Sequence, residues 1–389
     1  MILVGLFSRS ILGLDIGSHS IKLVEISRTR GGPIITCAKA VSMAHEEEAT
    51  DAEISKSLRK LLDMSKVRSK RVITAVSSAE ELVIMHSIFM PEMTADVSED
   101  ALRTGARFEA EEQEYIPYDI DYALMSFDVI GEATVDDEQG LDVFFVSAHR
   151  ELIKNRIQLL REAGLIPIAI DIDILAIARL LGFAEQIHDD EDIAIIDIGA
   201  SKTSLCFYQH GKPYPYPPIP TAGDALTSEL SQQLQISWKR AEEYKKLKGT
   251  FRKPEEKNLT SPFKTEFAVS LNSYPNDEDS MESKEYTSDE VFDVIQSALE
   301  KNDGLYPQLQ SRFEYYEADF TKPSKIIASG GTCQLASLDE FIASRLSISV
   351  EKISYLEKIP VDAKGDVSDI EGNEPLFATA VGLALKRKL

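Results

Sequence analysis

The stretch ILGLDIGSHSIKLVEI (Ile11–Ile26) has the pattern of two strands joined by a tight polar turn. Apolar residues lead into the turn and out of it, and Asp15, Gly17, Ser18 and Ser20 lie between them. Glycine lets a backbone approach a ligand closely, and the N–H groups that follow it can converge on an anion. On its own, the pattern is equally that of an ordinary hairpin.

A second copy of this pattern, IAIIDIGASKTSLCFY, spans Ile193–Tyr208. It again contains an apolar strand, an Asp-Ile-Gly turn that begins at Asp197, and a second strand. The two copies are too far apart in the chain for a solenoid repeat. They predict two related domains that face each other, each contributing a carboxylate and a glycine turn to one shared cleft.

The composition is that of a globular protein with two domains. The 389 residues are enough for two separate cores, and 43% hydrophobic and 28% charged residues are ordinary globular values. The net charge of −23 excludes one class of partner, because an acidic surface repels the phosphate backbone of nucleic acids. We therefore expect no nucleic-acid binding.

The cysteines and the apolar segments both indicate a cytoplasmic protein. Cys37, Cys206 and Cys333 are isolated, and their spacing predicts neither a metal site nor a disulfide framework. The most apolar long window, 165–181, is interrupted by three charged residues. We expect no direct membrane insertion.

The periodicity along the chain alternates between strand and helix, which is typical of an α/β protein. The predicted division is a first core domain of 8–80 and 165–190, an inserted α+β subdomain of 81–164, a second core domain of 191–250 and 322–389, and a smaller, partly irregular subdomain of 251–321.

A third glycine turn, Ser329-Gly-Gly-Thr332, completes a recognisable order. The three turns resemble the two phosphate loops and the adenosine loop of the actin-like ATPase superfamily. Lys22 stands seven residues after Asp15, as in the first loop of actin, and AEEYKK (241–246) resembles the helix that contacts the ribose. The resemblance implies two RNase H-like domains around a cleft for ATP and Mg²⁺. The residues that it places at the nucleotide are Asp15, Gly17, Ser18, His19, Ser20, Lys22, Asp197, Gly199, Ala200, Ser201, Thr203, Gly223, Glu242, Lys245, Gly330, Gly331 and Thr332.

Simple electrostatics supports a metal in this cleft. Two carboxylates that face a polyphosphate would repel it unless a hard cation lay between them. Mg²⁺ usually keeps several of its waters, so we expect Asp15 and Asp197 to hold it mainly through water.

Hydrolysis requires a polar residue that positions the attacking water. By its position in the superfamily pattern this residue is Asp173, with Asp171 as the alternative. Either carboxylate could instead satisfy backbone groups at the start of a helix. We therefore expect at most a slow ATPase.

The insertion before the second phosphate loop resembles that of the FtsA-like branch, which includes the PilM family of type IV pilus assembly proteins. The resemblance to that family lies in LGLDIGSHSIKLVEIS, FEAEEQEYIPY, LLREAGLIPIAIDID and FATAVGLALK and is weakest between 250 and 289. The chain also stops soon after its last predicted helix, whereas FtsA continues into an amphipathic membrane helix.

Membership of the PilM family would imply a cytoplasmic ATP-binding scaffold at the inner membrane. Such a scaffold recruits the short cytoplasmic N-terminal tail of a PilN-like membrane protein in a groove beside the insertion, and links it to the pilus motor ATPases. Two alternatives stay open: a self-associating cytoskeletal ATPase like FtsA or MreB, and a small-molecule kinase, for which the sequence offers no clear sugar pocket.

Overall fold

The computed structural model describes residues 10–43, 49–78, 80–94, 96–135, 137–188, 191–209, 212–249 and 285–386. The irregular segment predicted after residue 250 lies outside the described residues as far as 284.

The elements up to the second Asp-Ile-Gly turn alternate between strands and helices. In chain order they are β1 (Ser10–Ile16), β2 (Ser20–Thr29), β3 (Gly32–Ser42), α1 (Asp51–Ser65), β4 (Arg71–Val76), β5 (Val83–Pro91), α2 (Glu99–Glu112), β6 (Ala123–Val135), β7 (Glu138–His149), α3 (Arg150–Glu162), β8 (Ile166–Ile172) and α4 (Asp173–Phe183).

The rest of the described chain continues in the same manner. Its elements are β9 (Ile193–Ile198), β10 (Thr203–Gln209), β11 (Lys212–Ile219), α5 (Gly223–Leu234), α6 (Trp238–Lys248), α7 (Ser288–Glu300), α8 (Leu305–Asp319), β12 (Lys325–Ser329), α9 (Leu338–Leu346), β13 (Ser349–Lys352), β14 (Val361–Asp366) and α10 (Glu374–Ala384).

The two large sheets share one topology. The first has the strand order β14-β3-β2-β1-β4-β8 and the second β11-β10-β9-β12-β13. In each sheet the strand with the Asp-Ile-Gly turn pairs with an antiparallel neighbour on one side and a parallel neighbour on the other. Among the strands of the described residues, β14 is the one without a counterpart in the second sheet. The predicted α/β fold with two related domains is therefore confirmed.

The inserted region forms a small antiparallel sheet of order β5-β7-β6, with α2 packed against it. Leu102, Ala106 and Ala110 of α2 are buried in the same apolar cluster as residues of β5 and β7. This arrangement is the expected α+β subdomain. β6 is an edge strand of this sheet, so one of its backbone edges is free to pair with an extended segment.

Two segments pack in a different domain from the one to which the predicted division assigned them. Helix α3, assigned to the insertion, contributes Leu160 to the apolar cluster of the first core domain, together with Leu58 and Leu61 of α1. Strand β14, assigned to the second domain with the rest of 322–389, pairs with β3 at the edge of the first sheet. Its sequence, VDAKGD, alternates between apolar or small residues and charged ones, but Val361 alone is a good strand former, so the signal for a strand is weak.

Helices α4 and α10 connect the two halves. One apolar cluster contains residues of both helices and of both sheets. The crossing is close: a Cβ added at Gly382 of α10 would lie 2.0 Å from the carbonyl oxygen of Ala176 in α4. The helices therefore fix the distance between the two sheets, and with it the cleft between the two Asp-Ile-Gly turns.

Candidate functional site

The two Asp-Ile-Gly turns meet in space. The Ser201 hydroxyl donates to the Ser18 hydroxyl at 3.2 Å, although 183 residues separate them in the chain. A second hydroxyl pair, Ser78 and Ser204, lies 2.9 Å apart across the same junction. The two turns thus border one cleft.

The first turn holds a carboxylate and an ammonium side by side. Asp15 and Lys22 are register partners on β1 and β2, and Lys22 Nζ lies 3.0 Å from Asp15 Oδ2. The turn closes when the Gly17 N–H donates to the Ser20 carbonyl at 3.1 Å. The Lys22 side chain is largely buried, and its ammonium group lies at the turn beside Asp15.

His19 reaches from the first turn to the second domain. Its Nε2 lies 3.1 Å from Asp224 Oδ1, at ion-pair distance but without the alignment of a hydrogen bond. Its ring also contacts the edge of Trp238, with the ring centroids 5.3 Å apart. The side chain therefore bridges the halves rather than pointing freely into the cleft.

Asp197 is the partly buried carboxylate of the second turn. Its Oδ1 accepts a hydrogen bond of 2.6 Å from the Ser329 hydroxyl. Desolvation raises its pKa to about 6, and the charges of Asp173 and Asp15 push in the same direction, against the Ser329 hydrogen bond and Lys22. Within the described residues, no group of three or more acidic, His or Cys side chains is placed to hold a metal ion directly. The electrostatic coupling of Asp197 to Asp15 and Asp173 is what favours a cation at this position.

The predicted adenosine loop packs directly against the second phosphate loop. The Thr332 hydroxyl donates to the Gly199 carbonyl at 2.6 Å, and the Asp224 N–H donates to the Ala200 carbonyl at 2.8 Å. Gly330 has a φ of +89°, and a Cβ there would lie 2.3 Å from the Ile198 carbonyl oxygen. Only glycine fits this position, so the loop stays close enough for a flat base to lie on its backbone.

The predicted ribose helix carries a buried charge network. Lys245 Nζ lies 2.5 Å from Glu242 Oε2 and donates to the Thr227 hydroxyl and the Gly223 carbonyl. Burial alone would raise the pKa of Glu242, but Lys245 and Lys246 hold it well below its ordinary value. The network anchors α6 to the start of α5 beside the phosphate loops.

The predicted site residues come together, but not every side chain among them is free to contact a ligand. Thr203 is fully buried, and its hydroxyl donates to the Thr221 carbonyl at 2.8 Å. That hydroxyl is therefore committed to the backbone and unavailable to a phosphate.

The two aspartates considered for hydrolysis have different environments. Asp173 begins α4 and accepts hydrogen bonds from the Ser77 hydroxyl, the Ser78 N–H and the Ile174 N–H. Burial raises its pKa. Asp171 Oδ2 instead pairs with Arg179 at 2.7 Å and with Lys386 at 2.8 Å. Asp171 therefore joins α4 to the end of the chain and is already neutralised.

We predict that Asp171→Asn lowers the free energy of unfolding by about 2 kcal/mol at pH 7, because two cations lose a buried partner. Burial would raise the pKa of Asp171, but Arg179 and Lys386 outweigh it and lower the pKa below 3.8. Its stabilising contribution is therefore complete above the unfolded pKa and is lost as the pH falls through the lower folded value. Urea unfolding of both proteins from pH 7 down to pH 3.5 should show the difference shrinking only in the most acidic samples.

The control is Asp366→Asn, which removes a half-exposed carboxylate from its pair with Lys39. Exposed pairs contribute little, so this variant should stay within about 1 kcal/mol of the parent. If the free energies of unfolding of Asp171→Asn and the parent already differed little at pH 7, the role assigned to Asp171 would be contradicted.

Arg156 of α3 is a further residue at this site that the sequence did not reveal. Its Nη1 is buried and has no hydrogen-bond partner among the described residues. Burial lowers its pKa, while the charges of Glu80, Asp15 and Asp51 act against that effect. In the sequence it is one more polar residue of an amphipathic helix, since its burial depends on how α3 packs.

Comparison with known protein families gives two matches. The family model of the type IV pilus assembly protein PilM matches residues 13–274, which is more than half of the chain. The family model of the cell division protein FtsA matches residues 194–382, in the second half.

Solved structures with a similar fold include a PilM-PilN type IV pilus biogenesis complex, with 24% identity, a TM-score of 0.73, and coverage of 96% of this chain and 97% of that one. The ethanolamine utilization protein EutJ from Carboxydothermus hydrogenoformans is 16% identical, with a TM-score of 0.51 and coverage of 97% and 89%. MreB 5 of Spiroplasma citri, solved bound to AMPPNP, is 13% identical, with a TM-score of 0.50 and coverage of 96% and 95%. These likenesses confirm the predicted actin-like ATPase fold. In the described parts of the chain, each helix is too short or too polar to span a bilayer.

Proposed function

Because the chain belongs to the family of the type IV pilus assembly protein PilM, we propose that it is a nucleotide-dependent scaffold of pilus assembly at the inner membrane. In this proposal the cleft between the two Asp-Ile-Gly turns binds ATP with Mg²⁺, and a separate groove takes the cytoplasmic tail of a PilN-like membrane protein. The scaffold would lie in the cytoplasm and link that tail to the pilus motor ATPases.

The observation that carries the nucleotide proposal is the meeting of the three glycine turns. Ser18 touches Ser201, and Thr332 touches Gly199, so the three loops border one space. Lys22 provides a cation at the phosphate end, and Arg156 offers an unpartnered buried N–H nearby. Such groups suit the negative charge of a triphosphate.

The residues present fit Mg²⁺ in this cleft. Asp197 is partly buried, and the charge of Asp15 acts on it. Mg²⁺ would neutralise these carboxylates and the phosphate oxygens together. Asp15 and Asp197 would hold the ion through its waters, while Lys22 would turn from Asp15 to the phosphates.

Hydrolysis would depend on Asp173. Three donors already orient its carboxylate, and its charge acts on Asp197, so it lies beside the proposed phosphates. A carboxylate fixed in this way could position a water but has little freedom to move. We propose that the protein is at most a slow ATPase, with binding rather than turnover as its task.

A groove for the membrane partner's tail lies between α3 and the edge strand β6. Its volume is about 700 Å³, and Leu124, Ile153 and Ile157 supply apolar surface beside the charged Arg150 and Lys154. Seven of its eight lining residues belong to α3, and Leu124 of β6 is the contribution of the insertion. An extended peptide could lay apolar side chains along α3 and pair its backbone with β6.

The test is calorimetric titration of ATP–Mg²⁺ with and without a synthetic peptide of a PilN-like N-terminal tail. If the nucleotide and the peptide favour the same closed arrangement, each should tighten binding of the other by the same factor, about 5-fold or more. Ile157→Glu should weaken peptide binding by about 10-fold or more, because it places a charge among the apolar lining residues of the groove. The same variant should leave ATP affinity unchanged.

The matched control is Val135→Glu, which changes an exposed apolar residue at the far end of β6, outside the groove. It should bind the peptide like the parent. Equal peptide binding by Ile157→Glu and the parent would exclude this groove. ATP affinity identical with and without bound peptide would exclude the coupling.

Self-association is the second candidate, because the FtsA family model matches residues 194–382. Pelleting in the presence of ATP and Mg²⁺ distinguishes it from a monomeric scaffold.

A further inference from the structure

Helix α1 and the turn after it form a strongly basic region in an acidic protein. Residues 51–71 contain seven Lys or Arg and three Asp or Glu, whereas the whole chain has a net charge of −23. The capping box of Thr50 and Glu53 starts the helix, and Leu58 and Leu61 bury its apolar side. The cationic side chains are therefore directed to the opposite, outer side.

Six of these cations are exposed, and we call them the basic α1 face: Lys56, Arg59, Lys60, Lys66, Arg68 and Lys70. Within the described parts of the chain, none of the six has an ion-pair partner. By contrast, exposed cations elsewhere, such as Lys301, Arg345 and Lys358, are each paired with a carboxylate. The charge of the basic α1 face is therefore available to a ligand.

The shape of this face favours a planar ligand. A shallow depression runs along it, and all of its lining residues, including Lys56, Arg59, Lys60 and Met64, belong to α1. Because all of its lining residues belong to one helix, the depression lacks a second side that could enclose a peptide. Met64 is exposed among the cations, and an apolar side chain beside a row of cations is the pattern of a helix that lies on a lipid interface.

We propose that the basic α1 face binds the anionic headgroups of a membrane surface, without insertion of the chain. The basic α1 face attracts anionic headgroups, whereas the acidic surface of the rest of the protein is repelled by them. The two effects together fix the orientation of the protein on the membrane. Helices α1 and α3 share the apolar cluster of Leu58 and Leu160, so the face and the peptide groove are on neighbouring helices. The site itself needs neither nucleotide nor peptide.

The experiment is co-flotation of the full chain with vesicles containing phosphatidylglycerol, or with vesicles of phosphatidylcholine alone. Each surface cation contributes about fivefold to binding of an anionic surface, so Lys56→Gln/Arg59→Gln/Lys60→Gln should weaken binding by about 100-fold. Binding by the parent should require phosphatidylglycerol and should fall when NaCl rises from about 50 to about 300 mM.

The control is Lys301→Gln/Arg345→Gln/Lys358→Gln, which changes the net charge equally but removes cations that are already paired. It should float like the parent, and cooperative urea unfolding of both triple variants would show that they are folded. Failure of the parent to float with phosphatidylglycerol vesicles would overturn the proposal. Equal loss in both triple variants would overturn it too, as would binding of the face to an acidic peptide but not to vesicles.

Discussion

Replacing Asp197 with asparagine should weaken ATP binding in the presence of Mg²⁺ by about 100-fold, the upper end of the usual cost of losing a group around a metal. The same change should make the nucleotide-free protein more stable at neutral pH. Asp197 is partly buried, and desolvation together with Asp173 and Asp15 raises its pKa to about 6. Above that pH the protein keeps an ionised carboxylate in a site that disfavours its charge.

The sign of the stability change follows from the two pKa values. The folded value of about 6 lies above the ordinary 3.8, so the carboxyl destabilises the fold as the pH rises from 3.8 to 6, and the full cost persists above 6. A pKa difference of this size corresponds to on the order of 3 kcal/mol. Asparagine avoids the charge and retains an oxygen that can accept the Ser329 hydrogen bond. Calorimetry with Mg²⁺ or EDTA and urea unfolding of the nucleotide-free protein measure the two effects.

Asp173→Asn is the matched control, since it changes a second partly buried carboxylate whose charge acts on the first. Its amide oxygen can still accept from the Ser78 and Ile174 N–H groups, so Mg²⁺-dependent affinity should stay within about 3-fold of the parent. If Asp173 positions the attacking water, hydrolysis alone should fall, by about 100-fold. An Asp197→Asn protein that still gains ATP affinity from Mg²⁺ would refute the placement of the metal. Rapid turnover that Asp173→Asn leaves unchanged would refute the proposed role of Asp173.

The sequence predicted the parts of this site that depend on local patterns. An apolar strand that runs into Asp-Ile-Gly and a polar turn is visible at Asp15 and again at Asp197, and the two sheets built on these strands share one topology. The capping box that begins α1 at Thr50 involves only residues three positions apart, so it is a feature of the same local kind. Such signals need only a few neighbouring residues, so they can be recognised in the sequence without knowledge of the tertiary structure.

What the sequence did not reveal depends on contacts between distant segments. Strand β14 consists mostly of residues that are depleted in strands, and it pairs with β3 from a distant part of the chain. Asp171 is neutralised by Lys386, which is 215 residues away. The burial of Arg156 depends on the packing of α3 against the first core. No local periodicity encodes these three features.

Gly382→Ala should destabilise the protein by about 3 kcal/mol or more, near the upper end of what overpacking costs. The added methyl would lie 2.0 Å from the Ala176 carbonyl oxygen, which is backbone and cannot rotate away. Helix α10 or α4 must therefore shift. Since α10 packs on both β1 and β12, a shift would also move the Asp15 turn relative to the adenosine loop, and ATP affinity should fall with stability. Urea unfolding and calorimetry measure both.

Gly182→Ala is the control, because it makes the same chemical change in the other crossing helix. Among the described residues, no atom outside the backbone of α4 itself lies within 4 Å of a Cβ at Gly182, so the methyl enters open space. Alanine is favoured over glycine in a helix by up to about 1 kcal/mol, so this variant should equal or exceed the parent in stability. If both variants were more stable than the parent, the methyl added at Gly382 would fit between α4 and α10 without a shift of either helix. The spacing of the two sheets would then have to be set by contacts other than those of α4 with α10.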